Sequence, residues 1–373
     1  MSSPTDTTVI VGMSGGVDSA VAATLLVEQG YRVQGLHMTN WDEDDDYCSA
    51  AQDYQDTRRV CEDIGIPLHR INFAAEYREK VFADFLEEYR RGRTPNPDIA
   101  CNRYIKFGDF LNYALRLGAD KIATGHYARI DTVDGVCRLL KGADANKDQS
   151  YFLHAVKPAA LPSVMFPLGE LHKPEVRLLA NERGLSNYAR KDSTGICFIG
   201  ERPFREFLQN YLPAQAGNIE TQQGQVIGKH VGLMYYTLGQ REGLGVGGVR
   251  GYPEAPWYVA NKDLAKNVLL VTQGRDDPLL WSDTMTTEAV RWLADEAPAE
   301  IFTCTVKTRY RQPDVPCTVE ISAAGTARVS FQEPVWAVTP GQYAVFYLGD
   351  VCLGGGVIAT ATAINNPDQA ESA

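Results

Sequence analysis

The 373-residue chain predicts an α/β fold: a domain on a parallel sheet, then a small central domain, then a C-terminal antiparallel β-barrel. Three observations predict it. Short β-branched runs alternate with helical stretches up to about residue 203. Glycines crowd the stretch from Tyr211 to Gly251, where helical periodicity fades. From Thr303 onward the segments are short, alternating, and punctuated by Gly, Pro and Asp. The first pattern is that of strands joined by crossover helices, the last that of a small barrel or sandwich.

Thr7–Met13 is a short apolar run and reads as a buried strand. After the turn Ser14-Gly-Gly-Val-Asp-Ser19, Ala20–Gln29 reads as a helix stopped by Gly30. Tyr31–Met38 is a second strand, Cys48–Ile64 a helix and Ile66–Phe73 a third strand. Ala74–Arg91 is an amphipathic helix. A loop, a helix to about Leu117 and a strand around Ile122 follow. The barrel strands are expected at Cys304–Tyr310, Cys317–Ser322, Ala327–Phe331, Tyr343–Leu348 and Val351–Ile358. The polar tail 365–373 reads as disordered.

No run of about 18 apolar residues appears, so no membrane span is expected. The first residues lack a basic region followed by an apolar core, which leaves a cytoplasmic location as the expectation. Eight cysteines include no C-x-x-C pair, against a zinc ribbon or a local dithiol. The net charge of −11 disfavours a general nucleic-acid binder. Local patches run the other way: Glu88 to Lys106 holds five Arg or Lys against two acids, and Lys307-Thr-Arg-Tyr-Arg311 is basic. The acidic run Asp42–Asp46 reads as a solvated loop, because consecutive carboxylates cannot all converge on one ion.

Three stretches carry candidate chemistry. A Gly-rich turn between a first strand and a first helix aims backbone N–H groups and the helix dipole at one point, which suits a phosphate. Taken alone it is also an ordinary βα turn, and it lacks the Gly-Lys-Ser/Thr ending of the Walker form. In Thr94-Pro-Asn-Pro-Asp-Ile-Ala-Cys-Asn102, Asp98 precedes a helix as its N-cap and Cys101 stands in the first turn. A thiol there is activated by the dipole and by neighbouring arginines, or else it is a packed core cysteine. Cys197, in Asp192-Ser-Thr-Gly-Ile-Cys-Phe-Ile-Gly200, reads on its own as a core cysteine.

In combination the motifs are specific. The turn resembles the pyrophosphate loop of PP-loop ATP pyrophosphatases, the adenine nucleotide alpha hydrolase-like enzymes. Ala123-Thr-Gly-His-Tyr127, Asn146-Lys-Asp-Gln-Ser-Tyr-Phe-Leu153 and Gly232-Leu-Met-Tyr-Tyr-Thr-Leu-Gly-Gln-Arg241 fall in order with the stretches above. From the first strand to Val357 the chain resembles the bacterial tRNA-specific 2-thiouridylases.

That resemblance implies the following. Uridine O2 at the wobble position of Lys, Glu and Gln tRNAs is adenylated with ATP and Mg²⁺, and a persulfide sulfur then displaces AMP. Cys197 carries the persulfide, Cys101 is the partner nucleophile that frees that sulfur or closes a disulfide with Cys197, and Asp98 is the acid/base group. Gly12, Met13, Ser14, Gly15, Gly16, Val17, Asp18 and Ser19 hold the ATP phosphates, with Met38 and Gly125 along the adenosine. Asn96, Pro97 and Asp98 surround the flipped-out base. His126, Lys147, Asp148, Gln149, Arg309, Tyr310 and Gln342 contact tRNA. No protein metal ligands are expected. A cysteine desulfurase, directly or through a relay protein, donates the sulfur. The resemblance divides the chain into a catalytic domain at 1–203, a central tRNA-contacting domain at 204–283 and a tRNA-binding barrel at 284–364. A small-molecule PP-loop synthetase would not need the second cysteine or the basic barrel. An RNA-binding or sulfur-carrier protein would leave the phosphate loop without a use.

Overall fold

The computed structural model describes residues 3–41, 50–191, 203–294 and 296–364. Cys48, the run Asp42–Asp46, Cys197 and the tail lie outside them. The chain first lays down β1 (Thr8–Gly12), β2 (Arg32–Thr39), β3 (Leu68–Asn72) and β4 (Lys121–Ala123). A hairpin of β5 (Ala128–Val133) and β6 (Val136–Lys141) precedes the two-residue β7 (Val164–Met165). Five of these strands form a parallel sheet in the order β3-β2-β1-β4-β7. Val9, Ile10 and Val11 of the central strand are all fully buried, as a sheet covered on both faces requires. Each such side chain contributes about 1.5–3 kcal/mol by leaving water.

Helix α1 (Val17–Glu28) covers the sheet, with α2 (Ala50–Ile64) and Lys173–Glu182 beside it. α1 begins at Val17, earlier than its apolar pattern suggests, and Gly30 ends the turn after it with φ +86°. The opposite face is aromatic. The helical runs 74–90 and 97–116 pack Tyr77, Phe82, Phe85, Phe107 and Phe110 there. Both runs contain wide π-type turns, at Arg78–Phe82 and Cys101–Phe110, and Phe107 departs from helical geometry (φ −102°, ψ 16°). Such turns relieve one extra residue inserted into a packed helix.

A four-stranded sheet of β8 (Gly217–Thr221), β9 (Val226–His230), β10 (Trp257–Asp263) and β11 (Val268–Gln273) makes the central domain, in the order β10-β11-β8-β9. The remaining strands are β12 (Trp281–Ala289), β13 (Arg291–Trp292), β14 (Ile301–Lys307), β15 (Val315–Ile321), β16 (Thr326–Trp336), β17 (Tyr343–Leu348) and β18 (Val351–Ala363). Six of them close in the order β12-β16-β15-β14-β17-β18, with β18 returning to β12. The barrel thus starts before Thr303, at β12. The β5–β6 hairpin of the first domain extends this sheet through Val351 opposite Leu140. Among the described residues, no helix is long and apolar enough to cross a membrane.

Candidate active site

The strand order reverses on either side of β1, so the crevice outside the C-terminal ends of β1, β2 and β4 is the expected ligand site. Ser14–Gly16 turns there into α1. Gly15 takes φ +75°, and an added Cβ would lie 3.1 Å from Arg190 Nη1 and 3.2 Å from Thr57 Oγ1. Ser14 N–H reaches Ser19 Oγ at 3.3 Å, Gly16 N–H reaches Ser14 Oγ at 3.3 Å, and Ser19 Oγ donates to Gly16 O at 3.1 Å. The hydroxyls therefore fix the shape of the loop at the dipole end of α1, a place that suits an anion. Met13 is buried and its N–H donates to Leu36 O at 3.0 Å, while Met38 sits half-buried at the end of β2.

Four residues beyond the expected set build this loop. Lys173 Nζ lies 2.6 Å from Asp18 Oδ1, and Tyr127 OH donates to the same oxygen at 2.9 Å. Asn187 Nδ2 donates to Gly15 O at 2.9 Å, and Arg190 holds it at 3.4 Å while pairing with Asp53 (2.6 Å) and Asp56 (2.9 Å) on α2. Lys173 brings to the loop the cation that the sequence motif lacks. Gly125 is required by close approach: an added Cβ would stand 2.7 Å from Asp18 C and 2.8 Å from Ser19 N.

The next residue, His126, faces the other half of the crevice. Its Nδ1 is 2.7 Å from Thr124 Oγ1, and its ring lies 5.9 Å from Phe107. Burial, then the nearby Lys106 cation, holds His126 well below its usual pKa, so the imidazole is neutral. Asp98 is pushed the opposite way: burial raises its pKa, and Lys106 partly offsets this. A carboxyl and a neutral imidazole thus share one cation, Lys106, which sequence reasoning passed over.

The start of this helix corrects the expected capping. Asn96 is the N-cap, Pro97 the first helical residue and Asp98 the second, and no side chain caps the end. Proline takes the first position because its fixed φ suits it and its missing N–H would have no helical partner there. Cys101 therefore lies just beyond the first turn, 1% exposed in the aromatic core rather than at the dipole end. The loop before it is held from the barrel. Thr94 N–H donates to Pro340 O at 3.0 Å, and Gln342 Nε2 donates to Thr94 O at 2.8 Å. Gly341, at φ +90°, lets the backbones approach: its Cβ would stand 2.8 Å from Thr94 N.

Comparison with known proteins decides the family. Residues 7–201 match the model described as tRNA methyl transferase HUP domain, 205–273 the tRNA methyl transferase PRC-barrel domain, and 282–358 the aminomethyltransferase beta-barrel domain. The tRNA-specific 2-thiouridylase MnmA of Chromohalobacter salexigens is 61% identical over 352 residues, 94% of this chain and 92% of that protein. The chain belongs to the tRNA-specific 2-thiouridylase family. The protein of the same name from Marinobacter nauticus is 58% identical over 95% of this chain and 92% of its own. Among solved structures, an NMN synthetase from Francisella tularensis is 21% identical over 53% of this chain and 71% of its own, with a TM-score of 0.35.

The thiouridylase residues expected at the RNA are held by several elements. Asp148 is buried, accepting from Gly142 N–H (3.1 Å), Ser150 N–H (3.0 Å) and Ser150 Oγ (3.0 Å), with Lys307 Nζ at 3.4 Å. It fixes the turn that carries Lys147 and Gln149. Gln149 in turn accepts from Tyr127 N–H at 3.0 Å. Arg309 spends Nη2 on Leu238 O (2.8 Å), Ala337 O (2.5 Å) and Thr339 Oγ1 (2.7 Å), joining central domain to barrel. Tyr310 packs on Phe152 at 4.4 Å. Cys197 lies outside the described residues, so its pairing with Cys101 stays an expectation from the family.

Proposed function

We propose that this chain is a tRNA 2-thiouridylase working in two steps. The observation that carries the proposal is the pair Gly125–His126, whose neighbours face the two halves of such a reaction. Gly125 lies on the phosphate loop and His126 beside the Asp98–Cys101 helix. A nucleotide on the loop and a base at Asp98 would meet at the end of β4.

In the first step uridine O2 attacks the α-phosphorus of ATP and pyrophosphate leaves. The phosphates would sit at the dipole end of α1 and take the Ser14 and Gly16 N–H groups over from the hydroxyls that now accept from them, while the nearby Lys173 ammonium would offset the charge that builds on the leaving group. Met38 and Gly125 border the adenosine. A carbonyl oxygen is a poor leaving group and AMP a good one, so activation splits one hard displacement into two easier ones. In the second step the terminal sulfur of a Cys197 persulfide attacks C2 and AMP departs. Cys101 then attacks the Cys197 sulfur, which breaks its bond to the transferred sulfur and closes a 101–197 disulfide that reductant must reopen. Asp98, whose pKa burial raises, handles the proton at the base edge. Asn96 and Pro97 flank the base, which must leave its stack to reach this crevice.

ATP enters as a substrate. Mg²⁺ would arrive on its phosphate oxygens. Asp18, with one oxygen already committed to Lys173 and Tyr127, is a poor cage for a hard divalent ion, and no step above is routed through the metal. Lys, Glu and Gln tRNAs are the proposed substrates, with a protein persulfide as sulfur source and the cytoplasm as the place of action. Lys147, Gln149, Arg309, Tyr310, Gln342 and His126 would line the RNA side, and Asp148 would position the first two. The three regions 1–203, 204–283 and 284–364 would act as catalytic, central and barrel domains. Radiolabelled ATP tests the first step: pyrophosphate should form only when unmodified tRNA is present. Pyrophosphate release that ignores tRNA would overturn the proposal.

A further inference from the structure

The arginines that lead into the Cys101 helix are neutralised. Arg91 takes Glu87 at 3.2 Å and Glu88 at 3.3 Å, and Arg93 takes Glu88 at 3.4 Å and Glu288 at 2.6 Å. Two other arginines in the same neighbourhood are not. Neither Arg103, two residues past Cys101, nor Arg291, on β13, has a carboxylate partner among the described residues.

Packing brings the two together from opposite sides of a domain boundary. Asn102 Nδ2 donates to Phe152 O at 3.1 Å, which ties the Cys101 helix to the turn bearing His154. The His154 ring lies 5.1 Å from Tyr343 of β17. It also abuts Gly355 of β18, whose added Cβ would come within 2.7 Å of His154 Cδ2. Gly355 is the register partner of Arg291. The Arg103 guanidinium lies 5.1 Å over the Tyr104 ring, and its Nε is buried without a hydrogen-bond partner. Burial, then repulsion from Arg291, lowers the pKa of Arg103. His154, which both arginines act on, is kept neutral, its pKa lowered to about 4 chiefly by burial, with the two cations adding to the effect. Tyr343 feels both cations as well. Glu88, the acid that also acts on Tyr343, is already bound by Arg91 and Arg93.

Two like charges held together, partly out of water and without a counter-ion, are unfavourable until an anion joins them. Arg291 is exposed and Arg103 half-buried, so the pair opens to solvent on one side. We propose that Arg103 and Arg291 form a clamp for one backbone phosphate of the RNA, at the seam between the catalytic helix and the barrel. Guanidinium forks match phosphate oxygens in geometry and charge. A phosphate seated there would stand beside the helix that carries Asp98. The proposal rests on the RNA reading given above.

The test is binding of an unmodified tRNA transcript across a range of salt concentrations. Arg291→Ala should weaken affinity about 3- to 10-fold near physiological salt and make the slope of log K against log salt shallower by about 0.7–0.9. Its melting temperature should not fall, because a repulsion is removed. Arg103→Ala combined with Arg291→Ala should cost less than the product of the single effects, since both prongs hold one phosphate. Unchanged affinity and slope in Arg291→Ala would overturn the clamp, as would a lowered melting temperature with unchanged binding. Wild-type protein is assayed beside it for 2-thiouridine. No product there sinks the enzyme reading, whereas product with normal Arg291→Ala binding sinks only the clamp.

Discussion

Gly125 shows how narrowly the site is set at the scale of one residue. Gly125→Ala would drive a methyl group into the Asp18–Ser19 backbone, 2.7 Å from a carbonyl carbon. The start of α1 must then shift. A displacement near 1 Å costs on the order of 100-fold when the chemistry depends on alignment. tRNA-dependent AMP formation should fall by about that factor while tRNA affinity stays within about twofold, read by radiolabelled ATP and filter binding. Asp98 gives a pH-dependent prediction. Its folded pKa is raised by burial, so the native state binds the proton more tightly than the unfolded chain does. Stability is therefore lost as pH rises from the ordinary carboxylate range through the folded pKa. Asp98→Asn should abolish thiolation yet melt at or above wild type at neutral pH, with the gain shrinking toward pH about 4. His154 has the opposite sign of stability change. Burial lowers its pKa from 6.5 to about 4, so acid favours the unfolded chain between those values. The loss amounts to about 3 kcal/mol and is complete below the folded pKa. His154→Gln should lose less melting temperature between pH 6.5 and 4.5 than wild type does.

The helix from Pro97 shows what an element can and cannot reveal from its letters. Its existence, the phosphate turn and the alternation of strands with helices were all legible, because period and turn chemistry are local. Its first residue was not, since Asp98 and Pro97 compete for the start and proline's fixed φ places it first. Lys173, Asn187 and Arg190 gave no signal either. Each acts on the phosphate loop through a contact more than a hundred residues distant in sequence. The β5–β6 hairpin was missed for the same reason: its barrel partner, Val351, lies far down the chain. Gly341 tests the element as a unit. Gly341→Ala strains a φ of +90° and presses on Thr94, so the Asn96–Cys101 stretch must move. Formation of 2-thiouridine should fall at least about tenfold while ATP binding by equilibrium dialysis is unchanged. A parallel loss of ATP binding would show that the loop and the phosphate site are not separable.

Across the whole molecule, the barrel and central domain act as a frame for the catalytic loop. Pro340 and Gln342 hold Thr94, Lys262 Nζ donates to Gly92 O at 2.9 Å, and Arg309 locks the two supporting domains together. Arg309→Ala removes three hydrogen bonds to a charged donor from that joint. It should lower stability by about 2–4 kcal/mol, visible in chemical denaturation. The net charge of −11 is compatible with RNA binding because a phosphate meets the local charge rather than the sum, and Arg103 and Arg291 have no carboxylate partner among the described residues. The central claim is that one crevice first activates the uridine and then delivers sulfur to it. Nucleoside mass spectrometry of tRNA after incubation with ATP and a protein persulfide donor tests it most directly, with wild type beside Cys197→Ser and Cys101→Ser. Wild type should yield 2-thiouridine and AMP in equal amounts, and Cys197→Ser should yield no 2-thiouridine while still releasing pyrophosphate as it adenylates the uridine. Cys101→Ser should give no turnover with the protein donor. Full thiolation by Cys197→Ser would contradict the account.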